Sequence, residues 1–171
     1  KKVILLTTHR RENWGEPMKG IFAAVREMVA RNEDVNVIFP MHKNPLIREL
    51  ATEGFRGIED KVHLIEPLEY VDFANLMAKC YLIMTDSGGI QEEAPALGKP
   101  VMVLRTETER PEAIEAGTVK LAGINKDDIF NIANELINDK EAYEKMAHAA
   151  NPYGDGKACE RIVNNIIEYF K

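Results

Sequence analysis

The stretch "TDSGGIQEEAPALG", Thr85 to Gly98, holds the residues best suited to chemistry. An apolar run ends there in small polar residues and two glycines, and two adjacent carboxylates follow at once. If a helix opens near Gly88, the amides of Ser87, Gly88 and Gly89 point outward without intrahelical partners, at the positive end of the macrodipole. Glycines let an anion approach the backbone closely, and Ser87 adds a hydroxyl donor, so a phosphate fits such a terminus. Glu93, four residues past Gly89, stands about one turn along and within reach of a sugar diol. The pattern is neither the Walker A loop nor G-x-G-x-x-G. The same residues also read as a plain helix start, with Asp86 or Ser87 as N-cap and Glu92 and Glu93 as favourable first-turn charges.

A second group is "TTHRREN", residues 7–13. His9 stands directly at a strand end, followed by Arg10 and Arg11, a compact set of donors. Arginine grips phosphate as a fork, and histidine can donate to phosphate or act as an acid; a solvated basic turn is the plain alternative. "FPMHKNP" puts His42 at another strand end, where a structural or capping role is the simpler reading. "RTETERPEAIEAG" offers Arg105 and Arg110 among several acids. In "EPLEYVDF", Leu68, Tyr70 and Phe73 suit a ledge for a base, with at least one of them expected in the core. The four histidines show no ligand spacing with cysteines or carboxylates. No G-x-S-x-G nucleophile occurs, and no row of aromatics among basic residues points to nucleic acid. No metal and no cofactor are expected.

These residues need a frame to bring them together. Continuous apolar runs at 3–8, 35–40, 62–67, 81–86, 101–105 and 118–123 read as strands buried on both faces. Helical patterns fall between them, from Glu16, Pro45, Asp72 and Gly89, and Pro17 and Pro45 sit where helix starts accept proline. This alternation predicts an α/β fold, a Rossmann-like parallel sheet with helices on both faces. Open parallel sheets bind ligands beyond the carboxyl ends of their strands, which places "THRREN", "MHKNP", "EPLEYVDF", "DSGG" and "RTETERPE" on one edge. The tail from Asn125 reads as helical, broken at 151–156 by "NPYGDG". Without repeats or linkers, residues 1–171 read as one domain.

The totals bound the function. Hydrophobic residues make up 45% and charged residues 29%, an ordinary globular mix. The net charge of -6 disfavours nucleic acid, so an anionic ligand needs a local concentration of donors. No run approaches the roughly 18 apolar residues of a membrane span, and "KKVILLTTHRRENWG" does not have the form of a signal peptide. Cys80 and Cys159 lie far apart, which suits a reduced cytosolic setting. Lys1 leads straight into a buried strand, so a further N-terminal domain is expected ahead of it.

Taken together and in order, "THRREN", "HKNP", "TDSGGIQEEAPALGKPV", "RTETERPEAIEAGT" and "NPYGDGKACERI" closely resemble the C-terminal domain of the non-hydrolysing UDP-N-acetylglucosamine 2-epimerases, over essentially the whole chain. The resemblance implies the C-terminal half of a GT-B-type enzyme, in which two Rossmann-like domains face each other across a cleft. It implies that Ser87, Gly88 and Gly89 bind the diphosphate, Glu93 the ribose, and Arg110 the nucleotide side, with Leu68 and Phe73 flanking the uracil. His9 would serve departure and return of UDP, and Arg10 and His42 a second, activating UDP-N-acetylglucosamine. The implied reaction converts UDP-N-acetylglucosamine to UDP-N-acetylmannosamine by anti elimination of UDP and re-addition, in the cytoplasm, for cell-wall polysaccharide. The family's acid/base carboxylates belong to the N-terminal domain, absent here, so the fragment alone is expected to bind UDP weakly and not to turn over. The full-length protein is expected to be a homodimer, with no nucleic-acid or membrane partner. The alternatives are the nucleotide domain of a GT-B glycosyltransferase and a non-enzymatic Rossmann-like module.

Overall fold

The computed structural model describes residues 1–170. Six parallel strands, β1 (Lys2–Thr7), β2 (Val35–Pro40), β3 (Val62–Ile65), β4 (Leu82–Thr85), β5 (Val101–Val103) and β6 (Val119–Leu121), form one sheet in the order β3-β2-β1-β4-β5-β6. Helices α1 (Glu16–Arg31), α2 (Pro45–Gly54), α3 (Tyr70–Lys79), α4 (Gly88–Ala96) and α5 (Pro111–Ala116) connect successive strands. They are followed by α6 (Lys126–Asn138), α7 (Lys140–Ala147) and α8 (Ala158–Tyr169). No helix among the described residues is long and apolar enough to cross a membrane.

Strand side chains alternate between the faces of the sheet. Ile4 and Leu6 join one core with Phe22, Phe39 and Phe55, whereas Leu5 joins the other with Ile83, Val101 and Val103. The inner strands β1, β4 and β5 are thus covered on both faces, as their apolar runs suggest. β2 instead alternates buried and half-buried residues, and the edge strands β3 and β6 leave His63 exposed and Lys120 half-buried, so full burial fails there for want of a covering layer. Helix α1 lies on the first face, burying Met18, Ile21, Phe22, Val25, Met28 and Val29, a stripe at helical spacing. Phe22 and Phe55 approach to 4.7 Å between ring centroids.

Several bounds differ from expectation. Strand β3 stops at Ile65, because Glu66 and Pro67 lie exposed beyond the ladder, and β6 is confined to Val119–Leu121. Helix α3 starts at Tyr70 rather than Asp72, and α4 at Gly88. Residues Arg11–Asn13 form a 3-10 turn and Pro111–Ala116 a short helix closed by Gly117 at φ 79°; neither is apolar enough to stand out from the charges around it. The tail breaks at Asp139 as well as at the "NPYGDG" segment, since the Asp139 side chain accepts from the amides of Glu141 and Ala142 to open α7. Every residue of α8 is exposed, with Ile162, Val163, Ile166 and Ile167 along it.

Candidate functional site

Strand order reverses between β1 and β4, the position at which a doubly wound sheet opens a crevice. The two strands lie in register with Thr7 beside Thr85, and their buried hydroxyls are 2.7 Å apart. Thr85 Oγ1 also accepts the Ser87 amide, which fixes the turn into α4. Ser87 holds the N-cap position, yet its side chain accepts no helix amide. Asp86 does not cap either. Its carboxylate is fully buried and points across to the loop after β1, where Oδ2 accepts from Thr8 Oγ1 at 2.8 Å, from the His9 and Arg10 amides at 2.9 Å each and from Asn13 Nδ2 at 3.1 Å. The Ser87 amide, expected to point outward, is instead taken by Thr85 Oγ1, while the amides from Gly88 onward keep their outward direction and positive potential.

Two cations border that terminus. A Cβ placed on Gly88 would lie 3.8 Å from Arg10 Nη2 and 4.0 Å from Arg110 Nη2. One on Gly89 would lie 3.9 Å from Glu93 Oε1 and 4.0 Å from Ser87 Oγ. Glu93 is exposed, one turn into the helix and on the same side as the bare glycine backbone. Arg10 Nε donates to the Asp86 carbonyl at 3.3 Å, and Arg110 Nε donates to Glu92. Arg105 plays a different part: nearly buried, it clasps Glu12 at 2.5 Å and Glu109 at 2.6 Å, joining the loops after β1 and β5. Its hydrogen bond holds the Glu109 carboxyl down at about 2.

Beside the terminus a cavity of about 390 Å³ opens at the carboxyl ends of β1, β2 and β3, within the size range of small-ligand sites. His9, His42, Leu68, Phe73, Ser87 and Ile90 are among its walls. The His9 and His42 rings stack at 5.8 Å with 15° between their planes. His42 Nδ1 also accepts the Asn44 amide, but it does not cap α2: the cap is Asn44, whose Oδ1 accepts from the Leu46 amide. Leu68 and Phe73 are half-buried; Phe73 packs on the second core while facing the cavity, and Tyr70 is turned to solvent. The structure brings every sequence-predicted residue to one edge: His9, His42, Leu68, Phe73 and Ser87 around the cavity, and Arg10, Gly88, Gly89, Glu93 and Arg110 at its helix-terminus side. An anion can meet amides and two guanidinium groups there, with an apolar and aromatic wall beside it and a carboxylate one turn away. Among the described residues, no three His, Cys, Asp or Glu side chains are grouped to hold a metal.

The model of the UDP-N-acetylglucosamine 2-epimerase family matches residues 1–167. The chain belongs to that family. It is 56% identical over 169 residues to the UDP-N-acetylglucosamine 2-epimerase of Bacillus subtilis, covering 99% of this chain and 44% of that protein. Among solved structures it is similar to a UDP co-structure of S. aureus MnaA (55% identity, TM-score 0.93, 99% of this chain and 46% of that one). It is also similar to the Neisseria meningitidis UDP-GlcNAc 2-epimerase bound to UDP-GlcNAc (48% identity, TM-score 0.91, 98% and 45%). The chain spans less than half the length of these relatives, and it corresponds to the C-terminal half of the family's GT-B-like proteins.

Sequence reasoning missed Asp86, Thr8 and Asn13 as parts of the site. Asp86 sits where a cap is expected, and its partners lie 73 to 78 residues away, so no local signal marks it. Asn13 is 1% exposed within a charged segment, where only burial distinguishes it.

Proposed function

We propose that this chain is the nucleotide-binding domain, in one piece over residues 1–171, of a non-hydrolysing UDP-N-acetylglucosamine 2-epimerase. The observation that carries the reading is the uncapped start of α4, with Arg10 and Arg110 beside Gly88 and Glu93 one turn on. In this reading the Ser87 hydroxyl, the Gly88 and Gly89 backbone and Arg110 hold the diphosphate, Glu93 the ribose hydroxyls, and Leu68 and Phe73 the uracil. The amides and Arg110 offset charge that grows on the diphosphate as the bond from C1 to oxygen breaks, the stabilisation that matters most for a leaving anion. His9, lining the cavity beside Ser87, assists departure and return of UDP. Loss of the C2 proton to a base and of UDP from C1 gives a 2-acetamidoglucal. Re-addition of UDP at C1, with a proton delivered to the opposite face of C2, gives UDP-N-acetylmannosamine. The proton-transferring carboxylates come from the N-terminal domain of the whole protein, so the domain alone binds UDP without turnover. Arg10 and His42 take part in a second UDP-N-acetylglucosamine site, Arg10 bordering Gly88 as well. The whole protein is a homodimer in the cytoplasm that supplies a cell-wall polysaccharide; the two free thiols, Cys80 and Cys159, support a reducing compartment.

Calorimetry with UDP tests this on the 171-residue chain. In Gly88→Ala the new methyl meets Arg10 Nη2 at 3.8 Å and Arg110 Nη2 at 4.0 Å, ordinary contact without a clash, so the melting temperature holds while UDP affinity falls roughly 10–100-fold, the cost of about one or two charge-assisted hydrogen bonds. No heat with UDP from the unaltered chain, or equal affinity in the variant, overturns the assignment. Epimerisation by the unaltered 171-residue chain would refute its dependence on the N-terminal domain.

A further inference from the structure

The proposed function uses His9 but leaves unexplained the buried carboxylate behind it. Asp86 is 0% exposed, and its two oxygens differ sharply. Oδ2 accepts four hydrogen bonds, two of them from backbone amides that can only donate. Oδ1 has no hydrogen-bond partner among the described residues and faces His9, whose Nδ1 is 3.3 Å away. A buried unpaired carboxylate oxygen costs free energy unless something donates to it. The His9 ring is within reach, and contacts of this kind are often poorly aligned before a ligand arrives. Of the other ionisable groups around the cavity, His42 is stacked on the ring, Lys43 lines the same wall and Arg10 is held to the Asp86 carbonyl; among the described residues Asp86 is the carboxylate paired with His9.

We infer that Asp86 is the positioning residue of His9: it draws the proton onto Nδ1, fixes the ring's orientation and leaves Nε2 as the atom that meets a ligand in the cavity. The anchoring of Oδ2 makes this directional. The carboxylate cannot turn without stranding the His9 and Arg10 amides, so Oδ1 is held toward the imidazole. Because these amides belong to His9 itself and its neighbour, the same carboxylate sets both the backbone and the side chain of the working histidine.

The inference rests on the proposed function for its catalytic consequence but not for its tautomer. In Asp86→Asn the amide oxygen must stay at the Oδ2 position to accept the two backbone amides. The NH2 then faces His9 Nδ1 as a donor and forces the proton to Nε2. Nitrogen-15 NMR of the neutral imidazole, recorded near pH ~9, well above an ordinary histidine pKa, reads this directly. Nδ1–H is expected for His9 in the unaltered chain and Nε2–H in the variant, with UDP affinity within about threefold in both. In the full-length epimerase carrying this domain, Asp86→Asn lowers kcat roughly 10²–10⁴-fold, the usual range for a positioned acid or base, with KM little changed. Adding it to His9→Gln costs nothing further. An Nε2–H tautomer in the unaltered chain overturns the inference, even if the variant fails to fold. So does an unchanged kcat in Asp86→Asn, or additive losses in the double variant. A failure of UDP to bind the unaltered chain overturns the proposed function instead and leaves the tautomer result standing.

Discussion

Arg110 Nε donates to the Glu92 carboxylate, and the pairing leaves Arg110 Nη2 beside the Gly88 backbone. Glu92 thereby aims the guanidinium, and its hydrogen bond keeps Arg110 more firmly protonated than a free arginine. A lysine at this position keeps the charge and loses the fork. Arg110→Lys is expected to weaken UDP about 10-fold and Arg110→Ala more, in line with the ~1.5–3 kcal/mol of a hydrogen bond to a charged group. Calorimetry at two salt concentrations checks this, and equal affinities for the two variants would show that only charge counts there.

Glu93 has a more selective signature. Its carboxylate is exposed beside Gly89, on the same side of α4 as the bare glycine backbone. Near phosphates it repels, whereas toward a ribose diol it accepts two hydrogen bonds. Glu93→Ala is therefore expected to cost UDP roughly 10-fold, while inorganic diphosphate binds as well or better. Competition titrations with both ligands decide the matter; parallel losses would remove the ribose role.

The two thiols should separate cleanly. Burial pushes the Cys80 thiol up to about 11, while Cys159 is exposed on α8. Thiolate is the reactive form. A thiol reagent at pH 8 is expected to modify one equivalent, Cys159, within minutes, and the second only after denaturant is added. Mass spectrometry of the digested protein identifies the site.

Acid should loosen the loops after β1 and β5 late. Arg105 holds Glu109 at about 2, below the ordinary 4.5. A depressed folded-state pKa adds stability that is complete above the unfolded value and is lost as pH falls through the folded one. The melting-temperature advantage of the unaltered chain over Glu109→Gln is thus expected to be constant above pH ~5 and to vanish toward pH ~2. Thermal melts across that range measure it; an advantage that persists at pH 2 would place the contribution elsewhere.

Much of this architecture is legible in the sequence because it is local or strongly periodic. β1 and β4 show as apolar runs because both faces of the sheet are covered there, and the stripe from Met18 to Val29 has the spacing of one buried helix face. The short helix at Pro111–Ala116 is not legible, having one buried residue, Ala113, among charges. Nor is the choice between cap and ligand at Ser87, since a serine before two glycines suits both, and only its unused side chain favours the second. Asp86 is hidden for a different reason. Its identity matches a helix start, while its four donors arrive from the neighbouring strand's loop, a juxtaposition that exists only once β1 and β4 pair.

Helix α8 has a consequence for how the chain opens. None of its residues is buried, and twelve residues make a marginal helix in water unless something packs against it. Backbone amides from Ala158 to Tyr169 are therefore expected to trade hydrogen for deuterium within seconds, while those of β1 and β4 wait for the whole sheet to come apart.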